Sequence, residues 1–181
     1  MALHKGFDAS TQIPAHLPAG CSFAAGYIGG STPHVWTKAE WNRFAGISGV
    51  RLFPIWVADF ASDPVQSAKD AVAAMRRLGW SPGRALVYDT EATVDQAWCR
   101  AFRREAGNVQ VTVNYGSEAV VARNGDARLW IAKWDGDPAL EGGQGVEAHQ
   151  YVADVSAAGG VVDFSVMADG LFRQGGVGPR R

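Results

Sequence analysis

Apolar residues fall into short runs of strand character that alternate with stretches of helical periodicity. The runs lie at residues 5–9, 23–27, 51–57, 85–89, 109–115, 129–134, 146–152 and 161–166, bounded by glycine, proline and polar clusters. Helix starts stand between them. Thr37-Lys38-Ala39-Glu40 spells a capping box, in which residues three apart satisfy each other's backbone N–H. It predicts a helix that buries Trp41, Phe44 and Ala45 and ends near Gly46 or Gly49. Asp63-Pro64 sets a cap before proline at the first helical position. Ala68, Ala71, Val72, Met75 and Leu78 then mark one apolar face, and Gly79 stops it. Thr93-Val94-Asp95-Gln96 is a second capping box, whose helix buries Ala97, Ala101 and Phe102 and stops at Gly107. Residues 117–123 read as a shorter helix. Pro54 lacks an N–H, so an irregular or edge-like position is expected inside strand 51–57. After residue 134 the helices give way to loops, including the glycine-rich Gly142-Gly143-Gln144-Gly145.

Strands alternating with helices imply parallel pairing. Eight of them predict an α/β fold: a modified TIM-like (β/α) barrel with abbreviated late helices and its chemistry at the strand C-terminal ends. An open doubly wound sheet is the runner-up, but no GxGxxG or P-loop follows any strand. A length of 181 residues suits one domain spanning residues 1–181. Hydrophobic content of 47% and net charge −1 predict a globular chain with no basic surface for nucleic acid. No apolar run approaches eighteen residues, so no membrane-spanning helix is expected. Met1-Ala2-Leu3-His4-Lys5 leads at once into Gly6-Phe7-Asp8. The chain is therefore expected to be made in the cytoplasm without a signal peptide and to leave it, if at all, by another route. Cys21 and Cys99 have no CxxC spacing and read as free, buried thiols. Gly178-Pro179 before Arg180-Arg181 reads as a frayed end.

Tyr88-Asp89-Thr90-Glu91 carries the strongest chemical signal. Side chains two apart on a strand project together, which sets Asp89 and Glu91 roughly 6–7 Å apart at one strand end. Paired carboxylates split their pKa values and can supply an acid and a base, the division of labour that glycosidic cleavage needs. The bland alternative is two solvated carboxylates before a helix N-terminus. Other strand ends contribute Asp8 with Ser10, Tyr27 with Gly29-Gly30, Trp56 with Asp59, Asn114 with Tyr115, Trp134 with Asp135, and Gln150 with Tyr151, while Asp163 lies in the last strand. In a barrel these converge on a mouth that is acidic and aromatic. Sugars stack on aromatic faces and are gripped by carboxylates and amides, whereas a phosphate site needs Lys, Arg or a helix nest. Trp41, Trp98 and Trp130 read as core. Trp56 and Trp134 stand between core and sugar platform, and Asp163 between a turn partner and a functional group. His4, His16, His34 and His149 show no HxH or HExxH spacing, so no zinc site is expected. A Mg²⁺ or Ca²⁺ site of Asp8, Asp89 and Glu91 ranks below glycoside chemistry. No GxSxG marks a serine nucleophile.

Taken in order, Gly6-Phe7-Asp8, Tyr88-Asp89-Thr90-Glu91, Leu129-Trp130-Ile131-Ala132-Lys133-Trp134, Gln150-Tyr151 and Val161-Val162-Asp163 resemble glycoside hydrolase family 25, the lysozyme-type muramidases. Tyr27-Ile28-Gly29-Gly30, Phe53-Pro54-Ile55-Trp56, Asp70-Ala71 and Leu78-Gly79 look closer to the actinobacterial glycoside-hydrolase-like domain of unclear function. The resemblance implies a barrel whose last strands lack proper helices. It also implies hydrolysis of the β-1,4 bond between N-acetylmuramic acid and N-acetylglucosamine in peptidoglycan. Glu91 would then be the general acid, and Asp89 would orient the substrate acetamido group or stabilise positive charge, with Asp8 and Asp163 lining the same pocket. Tyr27, Trp56, Asp59, Asn114, Tyr115, Trp134 and Gln150 are the further candidates for gripping the glycan. Participation by the acetamido group suits the carboxylate spacing best and needs no covalent enzyme intermediate. No cofactor or metal is expected, and the partner is peptidoglycan or another glycan met by a monomer. The alternative is a catalytically weak or inactive glycan-binding or structural barrel. Abundant Arg, Ala and Gly fit a GC-rich coding sequence, hence an actinobacterium or its phage acting at the cell wall.

Overall fold

A computed structural model describes residues 2–91, 93–140 and 143–176. Eight strands pair in chain order around a closed barrel: β1 (Leu3–Asp8), β2 (Phe23–Gly30), β3 (Arg51–Val57), β4 (Ala85–Glu91), β5 (Val111–Ser117), β6 (Leu129–Ala132), β7 (Val146–Ala157) and β8 (Gly160–Ala168). Helices α1 (Lys38–Phe44), α2 (Pro64–Arg77), α3 (Gln96–Ala106) and α4 (Glu118–Asn124) fill the crossovers from β2 to β6, and α5 (Asp169–Phe172) follows β8. The modified TIM-like barrel of the sequence reading is thus the fold observed. None of the described helices is long and apolar enough to cross a membrane.

Pairing is parallel from β1 through β7. The expectation of parallel strands throughout fails at β8, which runs antiparallel to both β7 and β1. The reason is the connection: only Ala158-Gly159 separates β7 from β8, and both take positive φ, 52° and 79°. That is the twist of a two-residue hairpin, whereas a parallel return needs a crossover of a dozen residues or more. The start of β8 therefore lies beside the end of β1, and Asp163 pairs directly with Asp8.

Strand alternation sorts the core into two layers. Phe23, Ala25, Tyr27, Phe53, Ile55, Ala85, Val87, Val113, Trp130, Ala148 and Met167 pack inside the barrel. Phe7, Leu52, Leu86 and Tyr88 face outward against Trp41, Phe44, Met75, Trp98 and Phe102 of the helices. Gly6 is required inside, since a Cβ there would sit 2.3 Å from the Phe23 ring. Pro54 is tolerated in a fully paired strand because its neighbour changes beside it. Leu52 donates its N–H to Gly176, and pairing with β4 begins only at Ile55.

The α1 capping box forms as expected, Thr37 Oγ1 accepting from Glu40 N and Glu40 Oε2 accepting from Thr37 N. Asp63 caps α2. At α3 the expected Thr93 box does not form. Asp95 is the cap, its carboxylate accepting from Trp98 N at 2.9 Å. Thr93 is used instead to turn the chain after β4, donating its N–H to Thr90 O. β6 ends at Ala132 rather than at residue 134, because the Asp135 carboxylate accepts from Asp137 N and folds the chain into a turn. Cys21 and Cys99 are free and buried. Gly142 of the glycine-rich loop and the expected frayed end at residues 178–181 lie outside the described residues.

Candidate active site

The inward-facing column of most strands ends, at the C-terminal rim of the parallel set, in a polar side chain. Above the apolar filling stand Asp8 (β1), Tyr27 (β2), Asp89 (β4), Tyr115 (β5), Gln150 (β7) and Asp163 (β8). A cavity of about 700 Å³ opens over them. Its wall includes Tyr27, Asp89, Thr90, Glu91, Tyr115 and Asp163, with Trp134 at the edge. That volume lies in the ordinary range for a ligand site.

Gln150 organises the floor. Fully buried, its Oε1 accepts from Tyr115 Oη at 2.8 Å and from Trp134 Nε1 at 2.7 Å. Its Nε2 donates to Asp8 Oδ2 at 3.1 Å and to Asp163 Oδ2 at 3.2 Å. Every hydrogen-bonding position of the amide is used, which fixes its orientation. Asp163 also accepts from Asp154 N at 2.7 Å. The Trp134 indole is anchored by its N–H yet 68% exposed, so a flat apolar ring stands free at the rim.

Asp89 and Glu91 both line the cavity, but regular alternation is not what brings them there. Pairing with β5 shifts between them, and Glu91 takes φ +42°. This irregularity turns the strand end, so that Thr90 reaches the cavity as well. Asp89 Oδ1 accepts from Glu91 N at 2.9 Å, and Glu91 itself is exposed.

Burial is the main force on the carboxyls. It raises Asp89 to about 7, with the Glu91 N–H opposing and the Glu91 charge adding to the rise. Burial, followed by the charge of Asp163, holds Asp8 well above the usual carboxylate range, while its Gln150 hydrogen bond opposes this. Asp163 is raised by burial, against the Asp154 N–H. Tyr27 and Tyr115 are pushed up by burial and then by the carboxylates around them, so both phenols are neutral donors at ordinary pH.

Three candidates lie elsewhere. Asn114 has the opposite strand parity to Tyr115 and is buried behind the barrel wall, bonded to Thr90 and Asp126. Trp56 has the opposite parity to Ile55 and Val57, and its Nε1 donates to Ser67 on α2. It borders a second hollow of about 310 Å³ with Asp59, Gln66 and Asp70. Hydroxyls not singled out from sequence, Ser31, Thr32, Thr93 and Ser117, also line the main cavity. Their signal was position: Ser117 ends β5, and the others fall within two residues beyond a strand end. No group of three or more His, Cys, Asp or Glu among the described residues could hold a metal ion, so the acidic cation site weighed from sequence does not form there.

No family model matches the chain, and no curated protein matches it. Solved structures do. An uncharacterized protein of B. stearothermophilus superposes with TM-score 0.72 at 20% identity, covering 93% of this chain and 97% of that one. The modular autolysin LytC of Streptococcus pneumoniae, solved with a synthetic peptidoglycan ligand, gives 0.66 at 15% identity and 91% of this chain. This chain spans 46% of LytC. A family 25 glycosyl hydrolase from Bacillus anthracis gives 0.62 at 14% identity, covering 91% and 88%. At these identities the likeness is one of fold: the chain has the barrel of family 25 glycosyl hydrolases.

Proposed function

We propose that the protein is a glycoside hydrolase of cell-wall peptidoglycan or a related N-acetylated glycan, with Glu91 as general acid and Asp89 assisting. One observation carries the reading. Asp89, Glu91 and Asp163 share one open cavity at the rim of a family 25-like barrel, with Asp8 behind them and no arginine among the described residues that line it. Two buried polar groups are left for a ligand. Tyr27 Oη and Asp89 Oδ2 have no hydrogen-bond partner among the described residues. A neutral phenol donor and a carboxylate acceptor in one wall match the C=O and N–H of an acetamido group.

In the proposed reaction the acetamido oxygen attacks the anomeric carbon as the bond to the leaving oxygen breaks. Glu91 gives its proton to that oxygen. Asp89 accepts the acetamido N–H and offsets the positive charge that develops on the ring so formed. Water then attacks the anomeric carbon, its proton passes to Glu91, and the acetamido group is restored. Net consumption is one water, and no cofactor is involved. Trp134 supplies a stacking face for a neighbouring sugar, and Tyr115, Gln150, Asp8 and Asp163 hold the floor. Asn114 steadies the strand end from behind, and Trp56 with Asp59 belongs to the adjoining hollow.

Within this fold the proposal puts the chain nearest the actinobacterial glycoside-hydrolase-like domain, working as a monomer at a cell wall of phage or actinobacterial setting. Glu91→Gln is expected to abolish release of reducing ends from purified peptidoglycan while circular dichroism and melting temperature are retained. Full activity in that variant removes Glu91 from the mechanism. The exposure of Glu91 favours a second reading, a glycan-binding module without turnover. Binding of cell walls by the wild-type protein without new reducing ends selects it.

A further inference from the structure

Charge in the cavity is one-sided. Its described lining includes Asp89, Glu91 and Asp163 and contains no Lys, Arg or His. Asp8 adds a fourth carboxyl behind the wall, 2% exposed and tied to Asp163 through Gln150. Cations of neighbouring segments face other groups. The Lys5 ammonium lies 4.3 Å from the centre of the Phe164 ring, and the Lys133 ammonium is 3.0 Å from Asp135. Arg128 meets Glu147 and Gln174. A buried donor in the wall is the Tyr27 hydroxyl, neutral, 8% exposed as a residue, and without a partner among the described residues, and the Ser10, Thr93 and Ser117 hydroxyls line the same cavity.

An anionic ligand buried here would meet like charges and no counter-charge, which is costly in a partly desolvated hollow. Neutral hydroxyls and amides would find both acceptors and a donor. The sugars of a cell-wall strand differ on this point. N-acetylglucosamine is neutral. N-acetylmuramic acid carries a lactyl group that is neutral when amide-linked to a peptide and anionic when it ends in a free acid.

Resting on the glycan reading above, we propose that this cavity selects saccharide units that carry no free carboxylate. A muramyl unit is taken when its lactyl group is capped as an amide and refused when that group is a free acid. Discrimination acts through charge at Asp89, Glu91 and Asp163 rather than through shape.

Three sulfur-linked tetrasaccharides, which resist turnover, test this by calorimetry on the wild-type protein. They are a β-1,4 N-acetylglucosamine tetramer, an alternating N-acetylglucosamine–N-acetylmuramic acid tetramer with free lactyl acids, and the same tetramer with its lactyl groups capped as methylamides. At about pH 8.5, where Asp89 is mostly ionised, and about 20 mM salt, the capped and neutral chains are expected to bind roughly tenfold more tightly than the free acid. The gap is expected to shrink to about two- or threefold at about 500 mM salt, and to narrow in Glu91→Gln. Equal affinity of free and capped chains, or tighter binding of the free acid, overturns the inference and leaves the glycan reading standing. A gap that neither salt nor Glu91→Gln changes assigns the selection to shape and also overturns it. Binding of none of the three overturns the glycan reading, and the inference with it.

Discussion

A single carboxamide holds the floor of the candidate site. Gln150 accepts from Trp134 and Tyr115 on one side and donates to Asp8 and Asp163 on the other. Gln150→Glu keeps the acceptor and replaces the donor with a carboxyl oxygen facing two others. The group then has to take up a proton or repel its neighbours. The variant is expected to lose about 2–4 kcal/mol of stability at pH 8 and much less at pH 5, read from urea unfolding at the two pH values. A loss that does not depend on pH would show that only shape matters at this position. Asp89 makes a second claim at this scale. In the proposed mechanism it acts as an anion, and burial raises it to about 7. The anionic fraction of Asp89 is therefore expected to rise as pH passes through about 7, followed by the carbon NMR shift of its carboxyl. Asp89→Asn removes that titration and is expected to lose roughly a hundredfold or more of the rate. An Asp89 carboxyl that ionises in the ordinary carboxylate range would show that the cavity does not desolvate it.

The end of β4 is fixed from behind by a polar chain that crosses four elements. Thr90 Oγ1 donates to Asn114 Oδ1 at 2.8 Å, and Asn114 Nδ2 donates to Asp126 at 2.7 Å. Asp126 pairs with Arg103 of α3 at 2.6 Å. Asn124 of α4 donates to Thr93 O and accepts from Asp95 N. Asn114→Leu leaves Thr90 and Asp126 without these partners in a buried place. It is expected to cost about 2–3 kcal/mol in chemical denaturation and, where cleavage occurs, to lower kcat more than it raises KM. This network also shows where the sequence was hard to read. Strand positions and the two-layer packing follow from apolar runs, and the acidic column follows from the strand ends. Asn114 and Trp56 stand one residue from inward positions, and a shift of one residue reverses the face. The period-two rule that separates them needs an exact register, which runs such as Val111-Thr112-Val113 do not mark. Thr93 satisfied the local capping pattern, yet the tertiary need to turn the chain after β4 outweighed it. The antiparallel β8 depended on Ala158-Gly159, where a non-glycine residue takes positive φ and so gives little local warning of a hairpin.

At the scale of the whole molecule, the rim of the barrel works against its own stability. Asp8, Asp89 and Asp163 all have raised pKa values in the folded state, with burial as the first cause. A carboxyl whose folded pKa exceeds its unfolded one binds a proton more tightly in the native state. The native state then holds more protons than the unfolded chain, so stability declines as pH rises between the two values. For Asp89 the rise from 3.8 to about 7 corresponds to on the order of 4 kcal/mol lost across that window. Groups that act in the opposite direction, Asp135, Asp169 and Glu40, have lowered pKa values, so their contribution disappears only at more acid pH. The melting temperature is therefore expected to fall steadily from about pH 5 to about pH 8, against the common pattern of a broad plateau there. Asp89→Asn keeps the shape of the side chain and removes its titration, so it is expected to flatten the slope and to melt above the wild-type protein at pH 8. A wild-type melting temperature that is flat or rising over this range would mean that water or a counter-ion relieves the buried carboxyls. The acidic rim would then lack the strained charge on which both the proposed chemistry and the proposed selectivity depend.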